Sequence, residues 1–160
     1  MSKKSNDPSQ DATQSGAEYK VTEQVGHLLR KAYQRHLSIF QDGTIDPDLT
    51  SVQFVTLCAL RDLGPSSQVE LVKATSVDQA TIRGIVDRLK ARGLVELSKD
   101  EADGRKVIIS ILPKGEALLQ TMYPQARQIS EKTMARLNPA EQVALLFLLR
   151  KIAEDDASEE

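Results

Sequence analysis

The sequence predicts a mainly α-helical protein with one small β-hairpin, an α+β fold. Apolar residues recur at helical spacing along six segments, which polar or glycine- and proline-containing stretches separate. Two short segments, 94–99 and 106–111, have instead the alternating or β-branched character of strands. The residues between them, 100–105, are turn formers, so these two strands are expected to pair as an antiparallel hairpin.

The composition is typical of an intracellular globular protein. The chain has 160 residues, of which 40% are apolar and 28% charged, which suits one compact domain with extensions. No stretch reaches the ~18 apolar residues of a membrane span. Residues 1–18 are polar without an apolar signal core and are predicted to form a disordered leader. The single cysteine, Cys58, excludes an internal disulfide and fits a reducing cytoplasm.

Positive charge is concentrated in the middle of the chain. The net charge of −2 argues mildly against a polyanionic partner. Residues 76–114, however, contain eight Lys and Arg against six Asp and Glu, whereas the chain ends in an acidic tail at 154–160. Because local fields matter more to binding than the total, the middle of the chain remains a candidate nucleic-acid surface.

The first three helices have recognisable boundaries. The first is predicted over 19–40 and is followed by a linker, 41–48, that contains Gly43 and Pro47. Thr50 can cap a second helix that extends to about Leu63. A short third helix is expected to open at Ser67.

The fourth helix is the best marked. Ser76, with Gln79 three residues later, fits a capping box, and Gly93 stands where a left-handed C-terminal cap belongs. Its apolar positions follow the spacing of a buried stripe: Ile82, Ile85, Val86 and Leu89. Gly84, in mid-helix, costs about 1 kcal/mol relative to Ala. We therefore expect a close approach there, by a packed helix or by DNA.

Two helices are predicted after the hairpin. Pro113 fits the first turn of a long helix that extends to Leu137, with a kink at Pro124 as one option. Asn138 and Pro139 fit the start of a last helix. That helix is too apolar for a lone surface helix, with Val143, Leu145, Leu146, Leu148, Leu149 and Ile152.

The order of short helix, tight turn, capped helix and hairpin over 49–112 is the winged helix-turn-helix plan. A helix of this kind can enter the major groove with its N-terminal residues at base edges. The hairpin tip, or wing, carries Arg105, which can reach a neighbouring minor groove. Asp103 is close enough in sequence to brace that guanidinium by a charge-assisted bond.

Each of these residues also has an ordinary structural interpretation. Arg83 could pair with Asp87 on a solvated helix face. Gln79 and Thr81 could serve only for capping and solubility. Arg88 and Arg105 could be solvated cations. A winged-helix module that binds proteins rather than specific DNA is therefore the alternative function.

Residues 76–115 resemble the core of the multiple antibiotic resistance regulator (MarR) family. The matching features are the helix end Arg92-Gly93-Leu94-Val95, the wing D-x-x-D-x-R at 100–105, and a Lys114-Gly115 exit into a long helix. The exit Leu112-Pro113-Lys114-Gly115 departs from the family's usual L-T-x-x-G. The likeness extends over about residues 19–152.

The resemblance implies a homodimer that represses transcription from a pseudo-palindromic operator. In that family the first and last two helices form the dimerisation base, here 19–48 and 113–153. The implied DNA contacts are Gln79, Thr81 and Arg83 on the fourth helix, Arg88 at a phosphate, and wing Arg105 braced by Asp103. Such dimers release DNA when a small aromatic acid binds. Similarity to the branch that represses nicotinic-acid degradation genes implies a nicotinate-related pyridine carboxylate.

A candidate effector site lies on the first helix. Tyr33 and His36 are three residues apart on one stripe, and a small aromatic acid could stack there. Arg30 or His36 could bind its carboxylate, and Gln53 could join them. The alternative is that Tyr33 and His36 only pack in the core or at the dimer interface.

Other chemistry has little support in the sequence. The chain lacks a Gly-rich phosphate loop, a nucleophile elbow and a recognisable catalytic His arrangement, so neither an enzyme nor a cofactor is expected. His27 and His36 are nine residues apart, on opposite sides of one helix, which does not suit a metal pair. Cys58 lies in an apolar helix, where a buried thiol is the ordinary expectation over redox sensing.

Overall fold

The computed structural model describes residues 19–154. A single 3-10 turn at Val21–Glu23 precedes six helices and two strands. In chain order these are α1 Val25–Gly43, α2 Ser51–Leu63, α3 Gln68–Thr75, α4 Gln79–Ala91, β1 Val95–Lys99, β2 Val107–Ile111, α5 Pro113–Thr133 and α6 Pro139–Ala153. The predicted leader 1–18 and, apart from Glu154, the acidic tail lie outside the described residues. No helix within 19–154 is long and apolar enough to cross a bilayer.

Reciprocal capping boxes start three of the helices. Thr50 with Gln53 starts α2, and Ser67 with Glu70 starts α3. Asn138 starts α6 in the same way, with Glu141 as its partner. Each box satisfies backbone N–H groups that the first helical turn leaves without an acceptor, a contribution of about 1 kcal/mol per cap. The predicted starts at Thr50, Ser67 and Asn138 are confirmed.

The predicted capping box of α4 is wrong by two residues. Asp78, not Ser76, is the N-cap, and its side chain accepts a hydrogen bond from the Thr81 backbone N–H at 2.9 Å. Ser76 instead ends α3 in a left-handed conformation, with φ 53°. A carboxylate suits this position because it is a strong acceptor and also opposes the positive end of the helix dipole. The predicted C-terminal Gly93 is confirmed, with φ +70°.

The ends of α1 and α5 also differ from prediction. Helix α1 starts later, at Val25, and continues through Gly43, where a Cβ would lie only 2.8 Å from Ile129 of α5. Helix α5 passes through Pro124 and ends at Thr133 rather than extending to Leu137. Gly43 was predicted to break the helix, but it is the last residue of α1. Its missing side chain lets α1 pack closely on Ile129 of α5.

The hairpin has the predicted strands. Val95 pairs with Ile111 and Lys99 with Val107 in antiparallel register. An isolated bridge between Ser66 and Ile109 adds a single residue before α3 to this sheet, with N–H···O distances of 3.0 and 2.8 Å. The hairpin is thereby attached to the start of α3.

One core connects α2–α4 and the hairpin with α1 and α5. Its fully or nearly fully buried members are Phe40, Leu49, Leu57, Leu60, Leu71, Ile82, Ile85, Val86, Leu89, Leu94, Val95, Ile109, Leu119, Met122 and Ile129. At Gly115 an added Cβ would collide with the carbonyl oxygen of Leu94, so α5 leaves the hairpin in backbone contact with it. We call α2–α4 with the hairpin the lobe, and α1, α5 and α6 the helical base. Helix α6 contributes no buried residue to the core.

Candidate DNA-binding surface and ligand cavity

Helix α4 has one buried face and one exposed face. Its four core residues, Ile82, Ile85, Val86 and Leu89, face the lobe, and the predicted contact residues Gln79, Thr81, Arg83 and Arg88 are all exposed. No ion pair among residues 19–154 involves Arg83 or Arg88, so the alternative Arg83–Asp87 pair is not formed. Both guanidinium groups are therefore available to an external anion.

Thr81 takes part in the cap of α4. Its hydroxyl donates to Asp78 Oδ2 at 2.6 Å, and its backbone N–H donates to Asp78 Oδ1. These two hydrogen bonds lower the pKa of Asp78, and the bond from the hydroxyl has the larger effect. With its proton committed to Asp78, the Thr81 hydroxyl can offer an outside partner only its lone pairs.

Among residues 19–154, Gly84 has no helix packed against it, because a Cβ built at this position meets no atom within 4 Å there. The expected close approach is therefore absent within the part of the chain that the structure describes. An external molecule at the exposed side of α4 remains the other explanation for a glycine there.

The wing is built by two aspartates. Asp100 Oδ1 accepts hydrogen bonds from the backbone N–H groups of Ala102 and Asp103, at 2.7 and 3.1 Å. Both bonds lower the pKa of Asp100, and the bond from Asp103 has the larger effect. Asp103 Oδ1 accepts from Arg105, from its backbone N–H at 3.1 Å and from Nε at 3.4 Å. The Arg105 side chain is 95% exposed. The contact between Asp103 and Arg105 is thus present, with the cation projecting from the tip.

Lys106 links the wing to α3. Its Nζ lies 4.0 Å from a carboxylate oxygen of Glu70, the residue that also completes the cap of α3. The hydrogen bonds from Ser67 lower the pKa of Glu70, and the positive charge of Lys106 lowers it further. The sequence pattern does not predict this link, because residues 70 and 106 approach each other only when the hairpin folds back onto α3.

A cavity of about 510 Å³ lies in the helical base, between α1, α5 and α6. Its walls are almost entirely apolar and consist of Leu29, Ala32, Tyr33, His36, Ser130, Thr133, Met134, Leu145, Leu146 and Leu149. The Tyr33 and His36 rings are stacked, with centroids 6.3 Å apart and planes inclined by 23°. The structure therefore brings these two predicted effector residues to one cavity wall.

The other two predicted effector residues lie outside this cavity. Gln53 is 3% exposed, and its side-chain oxygen accepts the Thr50 N–H as part of the α2 cap. Arg30 is exposed on α1, and its guanidinium approaches His27 Nδ1 at 3.3 Å. The arginine that reaches a cavity residue is Arg35, which donates to the Thr133 carbonyl at 3.0 Å and which the sequence did not single out.

His36 is held by a hydrogen bond across the helical base. Its Nδ1 lies 3.0 Å from the Thr133 hydroxyl oxygen, and that hydroxyl lies 2.8 Å from the Ile129 carbonyl oxygen one turn earlier on α5. Burial lowers the pKa of His36. Burial therefore favours the neutral form of the imidazole.

A second, more polar cleft adjoins the cavity and shares Ser130 with it. It is lined by Arg61, Tyr123, Ala126, Arg127, Ser130 and Glu131. The Arg61 guanidinium lies over the Tyr123 ring, 4.9 Å from its centroid. The buried Tyr123 hydroxyl has no hydrogen-bond partner within residues 19–154, and burial raises its pKa.

Cys58 is half-buried rather than fully buried as the sequence predicted. It is free, packs against the core, and has a pKa raised first of all by burial. A thiol with a raised pKa is protonated at neutral pH and is a weak nucleophile. Within residues 19–154, no group of three or more His, Cys, Asp or Glu side chains is placed to hold a metal.

The chain is similar to proteins of known function and structure. It is 64% identical over 156 residues to the HTH-type transcriptional repressor NicR of Pseudomonas putida, covering 98% of each chain. A solved structure of Bordetella bronchiseptica BpsR, described by the regulation of its DNA binding by 6-hydroxynicotinic acid, matches with a TM-score of 0.81 and 56% identity, covering 86% of this chain and 99% of that one.

A structure of a mutant Escherichia coli MarR complexed with operator DNA also matches. Its TM-score is 0.74 at 26% identity, covering 81% of this chain and 93% of that one. The sequence profile described as the MarR family matches residues 49–107, which include the whole of α2–α4 and the start of β2. The resemblance seen in the fourth helix and wing is confirmed, and the chain belongs to the MarR family of winged helix-turn-helix transcription regulators.

Proposed function

We propose that this chain is a homodimeric, ligand-responsive transcriptional repressor of the cytoplasm that binds a pseudo-palindromic operator. The observation that carries the proposal is 64% identity to a transcriptional repressor along 98% of both chains. A regulatory rather than catalytic role agrees with this relative and with the family. Cytoplasmic location follows from the role, since the operator is part of the chromosome.

In this proposal α4 reads the operator. Gln79, Thr81 and Arg83 lie in the first part of the helix, where side chains of a recognition helix contact base edges. Arg88, two turns beyond Thr81, binds a phosphate. Exposure of all four, and the absence of an ion pair at either arginine within residues 19–154, support these roles.

The wing supplies the second contact. Arg105 enters the minor groove beside the recognition helix, where narrow A·T-rich segments attract arginine. Asp103 restricts the guanidinium by its contact with Nε and organises the tip by accepting the Arg105 N–H. The high exposure of Arg105 supports this role.

The helical base forms the dimer. Helix α6 has large apolar side chains, and none of its residues is buried by the rest of the described segment, 19–154. The exposed ones are Val143, Leu146, Phe147, Leu148, Leu149 and Ile152. The start of α1 adds Val25, Leu28 and Leu29 to the exposed apolar surface. An apolar helix of this kind is stable in water only when another surface covers it, and a second copy of the chain supplies that surface.

The effector is a small pyridine carboxylate, bound in the cavity at Tyr33 and His36. The BpsR structure concerns regulation by 6-hydroxynicotinic acid, a molecule of this class. A flat ring fits an apolar cavity of about 510 Å³ that has two aromatic rings on one wall. Arg35, anchored on Thr133, is the cation placed for the carboxylate, and Arg30 on the exposed side of α1 is the alternative. Gln53, occupied in its cap, is dropped from the site.

The test combines dimer mass, footprint and release. Light scattering should give twice the chain mass of 17.7 kDa. A footprint on the promoter region should show two half-sites about 34–36 Å apart, and 6-hydroxynicotinate should release the DNA saturably. A monomeric mass, or a footprint with one unpaired half-site, would disprove the proposal that a dimer binds the operator. Dimeric DNA binding that no pyridine carboxylate weakens would remove only the effector part.

Arginine variants separate the two candidate cations. Arg35→Ala should raise the effector concentration for half-release, and Arg30→Ala should change it little. The reverse result would move the carboxylate to Arg30.

A further inference from the structure

The hydrogen bonds around Thr133 determine which His36 nitrogen carries the proton. The Thr133 hydroxyl donates its single hydrogen to the Ile129 carbonyl, at 2.8 Å. The hydroxyl oxygen then has only lone pairs for His36 Nδ1, which lies at 3.0 Å. His36 Nδ1 therefore carries the hydrogen and donates it to Thr133.

The other ring nitrogen of His36 is then a hydrogen-bond acceptor. A neutral imidazole with its hydrogen on Nδ1 has a bare lone pair on Nε2. Burial lowers the pKa of His36, which favours this neutral form. Within residues 19–154, Nε2 has no hydrogen-bond partner, and His36 lines the cavity beside the apolar side chains of α1 and α6.

The cavity offers a ligand few other fixed acceptors. Besides His36, its lining side chains with a polar atom are Tyr33, Ser130 and Thr133, and the hydroxyl proton and one lone pair of Thr133 are already engaged. Tyr33 and Ser130 have rotatable hydroxyls that can donate or accept. The His36 Nε2 lone pair, by contrast, can only accept, because the contact of Nδ1 with Thr133 fixes the tautomer.

We propose that His36 Nε2 is the specificity-determining acceptor of the effector site, requiring an in-plane N–H or O–H donor on the ligand ring. The inference rests on the proposed function, since it concerns the same cavity. Hydroxylation of nicotinate beside the ring nitrogen supplies such a donor, as the ring N–H of the lactam or the O–H of its tautomer. Thr133 acts as a positioning residue, because its hydroxyl selects the tautomer that leaves Nε2 free.

The tautomer can be observed without any ligand. The chain has two histidines, so imidazole ¹⁵N spectra are simple, and a His27→Gln variant assigns them. His36 should show a protonated Nδ1 and an unprotonated Nε2. Thr133→Ser keeps the hydroxyl and should preserve that pattern, whereas Thr133→Val should give a tautomer mixture. A protonated Nε2 in the unaltered protein would overturn the inference.

Ligand selection is tested by calorimetry on the intact dimer with three probes. These are nicotinate, 6-hydroxynicotinate, and 6-methoxynicotinate, which keeps the substituent but has no donor. The expected preference for 6-hydroxynicotinate over each of the others is about tenfold, the upper range for one neutral hydrogen bond. His36→Phe should reduce both ratios to within about twofold, and Tyr33→Phe, which keeps both rings, should preserve them.

The outcomes separate the two proposals. If all three probes bind the unaltered protein equally, the effector site stands and the His36 inference is wrong. The inference is equally wrong if the preference persists in His36→Phe of normal dimer mass. If none of the three binds, the proposed effector class is wrong, and the selective role of His36 fails with it.

Discussion

The guanidinium of Arg92 forms an ion pair with the carboxylate of Asp46, joining the end of α4 to the segment between α1 and α2. It is the only ion pair within residues 19–154 that joins α4 or its C-cap to another segment. The two side chains are 29% and 17% exposed. The Lys114 ammonium donates to the Arg92 carbonyl at 2.9 Å, so the start of α5 reaches the same point.

Asp46→Asn should destabilise the protein, because it leaves the largely buried Arg92 guanidinium without its counter-charge. We expect a loss of about 1–3 kcal/mol in the free energy of unfolding, below the full effect of a completely buried pair. Urea denaturation at fixed protomer concentration measures it. The control is Asp62→Asn, which removes an exposed, solvent-screened pair with Arg61 and should cost clearly less than Asp46→Asn. Equal effects of the two variants would contradict the prediction.

Asp78→Ala should lower the unfolding temperature of the protein, because it removes the N-cap of α4. Ser76→Ala is the matched control, because the serine predicted as the cap is instead the C-cap residue that follows α3, and Asp78 is the N-cap of α4. Thermal unfolding at pH 7 should therefore separate the two variants. A larger loss for Ser76→Ala would restore the capping box inferred from the sequence.

Gly84→Ala should stabilise the free protein by about 1 kcal/mol, since the added methyl group meets no atom within 4 Å in the described chain. If the DNA backbone or a base lies against this glycine, operator affinity should fall at the same time. Denaturation and fluorescence anisotropy on one preparation measure both quantities. Unchanged operator affinity would show that DNA does not approach Gly84.

Arg83→Ala should weaken operator binding by about 1–3 kcal/mol and random duplex binding by less, as expected of a base contact. Arg88→Ala is the phosphate comparison and should weaken both duplexes alike while reducing the salt dependence of binding. Titrations at several salt concentrations distinguish the two roles. If Arg83→Ala lowers the affinity for both duplexes equally, Arg83 contacts a phosphate rather than a base.

The stability of the protein should decrease as the pH falls through the range in which His36 titrates. Burial lowers the pKa of His36 below its ordinary value of 6.5, so the unfolded chain takes up this proton at a higher pH than the folded chain. Well above pH 6.5 both states are neutral and the penalty is absent. It grows as the pH falls and is complete below the folded pKa. His36→Phe should remove this component below pH 6.5, and the control His27→Gln should retain it.

Local sequence determined most of the element boundaries, because caps and apolar spacing act over only a few residues. Thr50, Ser67 and Asn138 start their helices as predicted, and Gly93 adopts the expected left-handed conformation. The hairpin also follows from its own strands and turn residues. Ser76 and Asp78 are both suitable N-cap residues for α4. Ser76 forms the left-handed C-cap of α3, and Asp78 is therefore the N-cap of α4.

Only the tertiary structure decided which residues meet across the chain. The Thr133 hydroxyl that orients His36 is 97 positions away, and Arg92 is 46 positions from Asp46. No periodicity encodes such a pair, because it depends on how α5 packs on α1 and how α4 sits beside the linker. The same packing placed Tyr33 and His36 in one cavity and separated Gln53 from them, since a buried amide takes the nearest backbone donor. Sequence supplies the chemical groups, and helix packing decides which of them share a site.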